Sequence, residues 1–189
     1  MNRRYFQKFQ IKDVVFLAIM SAVALATCAV MPLVISLQPL IFGISQLVTA
    51  LQIGVFFAIG LYKVRKPGSL LIMALMMGLI QLMMSPPMFL SSVLNGVLIE
   101  LIVLLLFRGY EKDAAVFVAA MLHTPLSLPF NYLYNRLVKG ADSPLAAVAD
   151  RAPLAAVGMT LAVVAVSALG ALIGIKIARE LKKTGVLKK

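Results

Sequence analysis

Charge is what this chain has least of. Of its 189 residues only 13% are charged and 62% are hydrophobic, whereas soluble domains carry about 25% charged residues. With a mean hydropathy of +1.00, a soluble globular domain is excluded and a polytopic membrane protein is expected. Histidine and cysteine occur once each, as His123 and Cys28. One cysteine rules out an intramolecular disulfide. One histidine beside it leaves a tight transition-metal site without its usual ligands, so neither metal nor cofactor is expected. The chain also lacks a G-x-x-x-x-G-K-[ST] phosphate loop, a G-x-S-x-G elbow and an H-E-x-x-H motif, which excludes ATP hydrolysis by this chain. Leu25-Ala26-Thr27-Cys28 has a faint likeness to a lipoprotein cleavage site. The apolar stretch around it, however, starts near Val14 and passes the cysteine, longer than the roughly 7 to 15 residues of a signal h-region. Cys28 therefore reads as part of a span.

What is present is a set of apolar stretches, each near the ~20 residues a span needs. Six are expected, at about residues 14–35, 40–62, 69–84, 88–107, 114–138 and 154–177. The fold class that follows is an all-α integral membrane protein, a compact six-helix bundle forming one transmembrane domain. The net charge of +11 sits at segment ends rather than on an aromatic-interleaved face, which argues against nucleic acid. With the N-terminus inside, Arg3, Arg4, Lys8, Lys12, Lys63, Arg65, Lys66, Arg108 and Lys112 lie on the inner side. So do Lys176, Arg179, Lys182, Lys183, Lys188 and Lys189, leaving only Arg136, Lys139 and Arg151 outside. The positive-inside rule then places both termini in the cytoplasm. A multi-pass protein of a prokaryotic plasma membrane is expected.

Polar residues inside the spans carry the functional information. In the first span Ala18, Ala22 and Ala26 repeat at i, i+4 and i+8, a small-residue face that permits close helix approach, either within the chain or to a partner. In the second, Ser45, Thr49 and Gln52 share a face flanked by Gln46. Such a face cannot comfortably meet lipid; it serves interhelical hydrogen bonding or ligand binding. The third span carries Gln81 among methionines that read as packing. The fourth holds Glu100, the only charge inside a long apolar segment, aligned with Ser92 and Gly96 and with Asn95 to one side. An ionised carboxylate at mid-bilayer costs roughly 2.5 to 3.5 kcal/mol on insertion scales, so Glu100 is the default functional candidate.

The fifth stretch contains Pro125 and Pro129, which should kink or open it beside a cavity. Thr124, Ser127, Asn131 and Asn135 fall on one face of it if it stays helical, with His123 and Tyr134 nearby. The connection Lys139 to Pro153 is the longest and could act as a lid. In the sixth span Gly170 and Gly174 form another small-residue pair for packing. No internal repeat is visible, which leaves an inverted-repeat transporter unsupported.

Inward amides, hydroxyls and one acid within apolar walls make a small-molecule pocket pattern. The candidate binding residues are Glu100, Asn95, Gln81, Gln52, Gln46, Thr49, His123, Asn131, Tyr134 and Asn135. A scaffold with satisfied interhelical contacts is the bland alternative. An intramembrane enzyme pairing Glu100 with His123 is a third reading, without an indicated nucleophile or second acid.

In size, span number, inward termini and the Ala18, Ala22, Ala26 row, the chain resembles the substrate-binding S components of energy-coupling-factor (ECF) vitamin transporters. Within that family, Arg65-Lys66-Pro67-Gly68, Asn95-Gly96-x-x-x-Glu100 and Thr184-Gly185-Val186-Leu187 look like the branch thought to import hydroxymethylpyrimidine and related thiamine precursors. The resemblance implies capture of a vitamin or precursor from outside, with no ATPase activity in this chain. It also implies docking of the alanine row on a transmembrane coupling subunit that works with two ATPases. Where that branch is expected to carry acids in the third and fifth spans, this chain has Gln81 and Asn131. A neutral or weakly basic heterocycle fits that pattern better than a permanently cationic thiazolium. Its aminopyrimidine edge could pair with a carboxyl group.

Overall fold

The computed structural model describes residues 8–28, 33–34, 36–140, 143–185 and 187. Among these residues the helices run in the order α1 (Ile11–Thr27), α2 (Ile44–Lys63), α3 (Ser69–Leu82), α4 (Pro86–Phe107), α5 (Asp113–Leu137), α6 (Pro144–Arg151) and α7 (Pro153–Lys183). No strand occurs among the described residues. Local chemistry sets several of the boundaries. Asp13 reaches back to accept the Gln10 N–H at 3.1 Å and so caps α1. Proline opens α4, α6 and α7, at the turn where its missing N–H costs nothing.

Among the described residues four helices, α2, α4, α5 and α7, are long and apolar enough to cross a membrane. The expected first and third spans are shorter as helices. α1 has 17 residues and α3 has 14, so α3 rises only ~21 Å against the ~30 Å hydrocarbon core. Residues 29–32 and 35 of the expected first span lie outside the described residues, as do Arg3, Arg4, Lys188 and Lys189. The segment expected as a long loop contains a helix, α6.

Side by side, α1, α3, α4, α5, α7 and α2 close into a ring, and α2 also crosses it to meet α5. The most extensive seam joins α2 to α7. It is made by backbone approach: a Cβ on Gly170 would meet the Leu51 carbonyl oxygen at 2.4 Å, and one on Gly174 would meet the Val55 carbonyl at the same distance. The expected glycine pair thus packs against the central helix.

α5 stays helical through both prolines, contrary to the expected opening. Proline at 125 has no N–H for the carbonyl of Met121, one turn earlier. Ser167 on α7 donates its hydroxyl to that carbonyl at 2.7 Å, so a neighbouring helix replaces the missing bond.

Candidate functional site

The two ends of the bundle treat polar groups differently. The basic end carries the α2–α3 turn, the α4–α5 turn, the start of α1 and the end of α7. There Arg65 bonds the Asp113 carboxylate and the Glu111 carbonyl, and Arg179 reaches the other Asp113 oxygen at 2.6 Å. Lys66 Nζ lies 2.6 Å from Asp13 and 2.8 Å from the Lys8 carbonyl. These pairs tie α1, α2, α5 and α7 together at that end.

Glu100 belongs to this end. Its carboxylate accepts the Gly68 N–H at 2.6 Å and the Tyr110 hydroxyl at 2.9 Å. The first of these bonds comes from the start of α3, where the helix dipole favours an anion. Tyr110 is fully buried in the α4–α5 turn. Burial, and then the adjacent Glu100 carboxylate, push its phenol well above its ordinary value. Glu100 was expected to face a ligand. It is instead satisfied by its own chain and lines no part of the cavity described below.

The reason is helix register. Ser92, Gly96 and Glu100 share the stripe of α4 that meets α3. Ser92 donates to the Ala74 carbonyl at 2.9 Å, a Cβ on Gly96 would meet Ala74 Cβ at 2.5 Å, and Glu100 reaches Gly68. The stripe is a seam. Asn95, one residue off it, faces the cavity.

That cavity, about 820 Å³, lies towards the opposite end and falls within the 300–1,000 Å³ range of small-molecule sites. Every helix except α7 contributes to its wall. Of the ten expected binding residues it brings together Gln46, Thr49, Gln81, Asn95, His123, Asn131, Tyr134 and Asn135. Thr124 and Ser127 join them, so the expected polar face of α5 lines the cavity. Gln52 does not line it, although its Oε1 is buried without a partner. Because Glu100 is bonded to Gly68 and Tyr110 while both His123 nitrogens lack a partner, an acid/base pair of Glu100 with His123 has no structural basis.

Depth follows from helix position. Asn95 lies nine residues into α4 from Pro86, ~14 Å along the axis, and His123 and Thr124 lie mid-way along α5. They form the floor, and Gln38, Ser85, Lys139 and Ser143 the mouth. At the mouth the polar groups are partly spent on each other. Gln38 donates to Ser45, Ser45 to Gln46 Oε1 at 2.8 Å, Asn135 to the Asn131 carbonyl at 2.8 Å, and Ser143 to Asn135 Oδ1 at 2.9 Å.

At the floor they are not. Asn95 Oδ1, both His123 nitrogens and Thr124 Oγ1 are buried with no hydrogen-bond partner. His123 is held by the Phe57 ring, centroid to centroid 4.4 Å. An unmade buried hydrogen bond costs about 1–3 kcal/mol, so three such side chains facing one cavity are groups awaiting partners.

Sequence reasoning missed Lys139, the one charged side chain among the described lining residues. Its ammonium sits 5.8 Å from the Tyr134 ring centroid. The signal was available, since Asn131, Asn135 and Lys139 continue the α5 face at i, i+4 and i+8. Of the alanine row, Ala18 is half-buried and Ala22 and Ala26 are exposed, while the packed face of α1 is Leu17, Ser21 and Ala24. Ala22 and Ala26 also border the cavity.

A family model described as a hypothetical bacterial integral membrane protein (Trep_Strep) matches residues 11–183, and the chain belongs to that family. Among solved structures, one described as the crystal structure of an S-component of ECF transporter is similar in fold. It superposes with a TM-score of 0.64 at 22% sequence identity, covering 95% of this chain and 89% of that one. No curated protein matches the chain.

Proposed function

We propose that this chain is the substrate-capture subunit of an ATP-driven importer of the ECF type. Its cavity would open to the outside and take up a small vitamin or vitamin precursor. The single observation that carries the reading is the floor: three buried side chains on two facing helices with unmet hydrogen-bonding capacity, in a cavity of small-molecule size. The likeness in fold to an S-component supports the same role. Within it, the resemblance of the turn, fourth-span and C-terminal motifs favours hydroxymethylpyrimidine or a related thiamine precursor. A ring of that kind would be read by Asn95, His123 and Thr124 with Gln46, Thr49, Gln81, Asn131, Tyr134 and Asn135 around it, and not by Glu100.

Capture alone does not move cargo, and no phosphate loop is present to supply energy. The partners in this reading are a transmembrane coupling subunit and two ATPases, met through the uncovered Ala18, Ala22, Ala26 face of α1. The protein would sit in the plasma membrane with both termini inside, in one transmembrane domain.

Mass spectrometry of small molecules released from the purified full chain tests capture, with a stoichiometric cargo expected. The docking face is tested at Ala18, which does not line the cavity: Ala18→Trp should abolish co-purification with the coupling subunit and spare cargo binding. Retained assembly would assign that face to lipid.

A further inference from the structure

We infer that the cavity takes a ligand without positive charge: an uncharged hydrogen-bonding ring at the Asn95, His123 and Thr124 floor, with any ionised group an anion at Lys139. This rests on the reading of the cavity as the capture site and narrows it to a chemical class.

The floor sets the first half. Asn95 Oδ1 can only accept, Thr124 can do either, and an imidazole in its neutral form offers one donor and one acceptor. All of these atoms are buried and unpartnered. The group that satisfies them must therefore present both donors and acceptors within a small area. The edge of a nitrogen heterocycle bearing an amino, hydroxyl or lactam group does so. Ile53 and Met77, which line the same cavity, give it apolar sides suited to a flat ring.

The charge distribution sets the second half. A cation brought to this depth needs a carboxylate, because an unpaired buried charge loses its hydration without replacement. Among the described lining residues there is none. Glu100 is occupied by Gly68 and Tyr110 at the basic end of the α3–α4 seam, and Asp150 is occupied by Arg136 and the Tyr132 hydroxyl. Among the described lining residues the one formal charge is the Lys139 ammonium, at the mouth. It repels a cation at entry and offers a charge-assisted hydrogen bond to a carboxylate or phosphate.

The test uses the full chain in nanodiscs, with the released cargo identified by accurate mass and three added probes. These are 4-amino-5-hydroxymethyl-2-methylpyrimidine (uncharged), pantothenate (a carboxylate) and thiamine (a fixed cation). The expected result is an uncharged or anionic cargo, competed by one or both of the first two probes and not by thiamine. Thr124→Val and Asn95→Leu should each weaken cargo binding about tenfold, the equivalent of one hydrogen bond. Lys139→Gln should weaken an anionic cargo several-fold. A cargo with a fixed positive charge, or tightest binding by thiamine, overturns the inference and leaves capture standing. A folded chain, judged by a sharp thermal transition, that carries no cargo and binds no probe overturns the capture reading and the inference with it.

Discussion

The basic end of this bundle and the floor of its cavity both bury polar side chains, and they differ in whether those side chains are spoken for. At the basic end the carboxylates of Glu100 and Asp113 are matched by donors within their own chain. At the floor Asn95, His123 and Thr124 have none. Burial alone therefore does not separate a structural polar residue from a binding one. The separation comes from the unmet partner, since a satisfied group stabilises the fold and an unsatisfied one weakens it until something binds.

Exchanging the roles of the two regions by mutation tests that contrast. The largest effect is expected from Glu100→Ala, which strands the Tyr110 hydroxyl and the Gly68 N–H together. The loss should be about 2–5 kcal/mol of stability, read as a lower unfolding temperature, with cargo affinity of the remaining folded protein unchanged. A loss of affinity at full stability would move Glu100 back into the binding site.

Thr124→Val should do the reverse. Removing an unsatisfied hydroxyl leaves the thermal transition unchanged or raises it by up to about 1 kcal/mol in the cargo-free protein, while binding weakens. A clear drop in cargo-free stability would show that Thr124 has a structural partner.

Tyr110→Phe removes one of the two bonds to Glu100 and should cost about 1–2 kcal/mol. It also carries a pH signature. The folded-state value of Tyr110 is raised well above its ordinary one, so the neutral phenol is favoured by folding. The associated stability is complete below about pH 10, the ordinary tyrosine value, and is lost as pH climbs towards the folded value. The fall in unfolding temperature on alkaline titration should be shallower in Tyr110→Phe than in the parent protein. Equal slopes would dissociate Tyr110 from that loss.

The smallest effect, about 1 kcal/mol, is expected for Ser167→Ala, which reopens the Met121 carbonyl freed by Pro125. Because Thr124 precedes that proline, cargo affinity should drop modestly alongside the melting temperature. An unchanged melting temperature would mean that another group replaces the bond.

Much of the cavity wall could be read from residue spacing. The polar face of α5, with Thr124, Ser127, Asn131 and Asn135, lines the cavity as helical periodicity requires, and Gln46, Thr49, Gln81 and Asn95 join it. Glu100 was not legible in the same way. A buried acid must have a partner, but spacing along α4 says nothing about which neighbour supplies it, and Gly68 and Tyr110 lie in turns whose course the pattern does not fix. The α6 helix escaped because the charge-bearing stretch after Lys139 reads as a connection, although Pro144 and the alanines behind it were helix signals. Length misled in the other direction. The apolar run of the third stretch continues past α3 into the turn at Met83 and Met84, so hydropathy overstates how much of it is helix.

The Gly68 to Glu100 bond also fixes an azimuth. Successive residues on a helix are ~100° apart, so a rotation of α4 by one position takes Asn95 off the cavity in either sense, into the α3 seam in one and out to the position of Leu94 in the other. Three contacts along one line resist that rotation: Ser92 on the Ala74 carbonyl, Gly96 against Ala74 Cβ, and Glu100 on Gly68. The acid at the far end is one of three index pins. The two nearer Asn95, at Ser92 and Gly96, still hold the angular setting of α4 that turns Asn95 to the cavity when the third is removed.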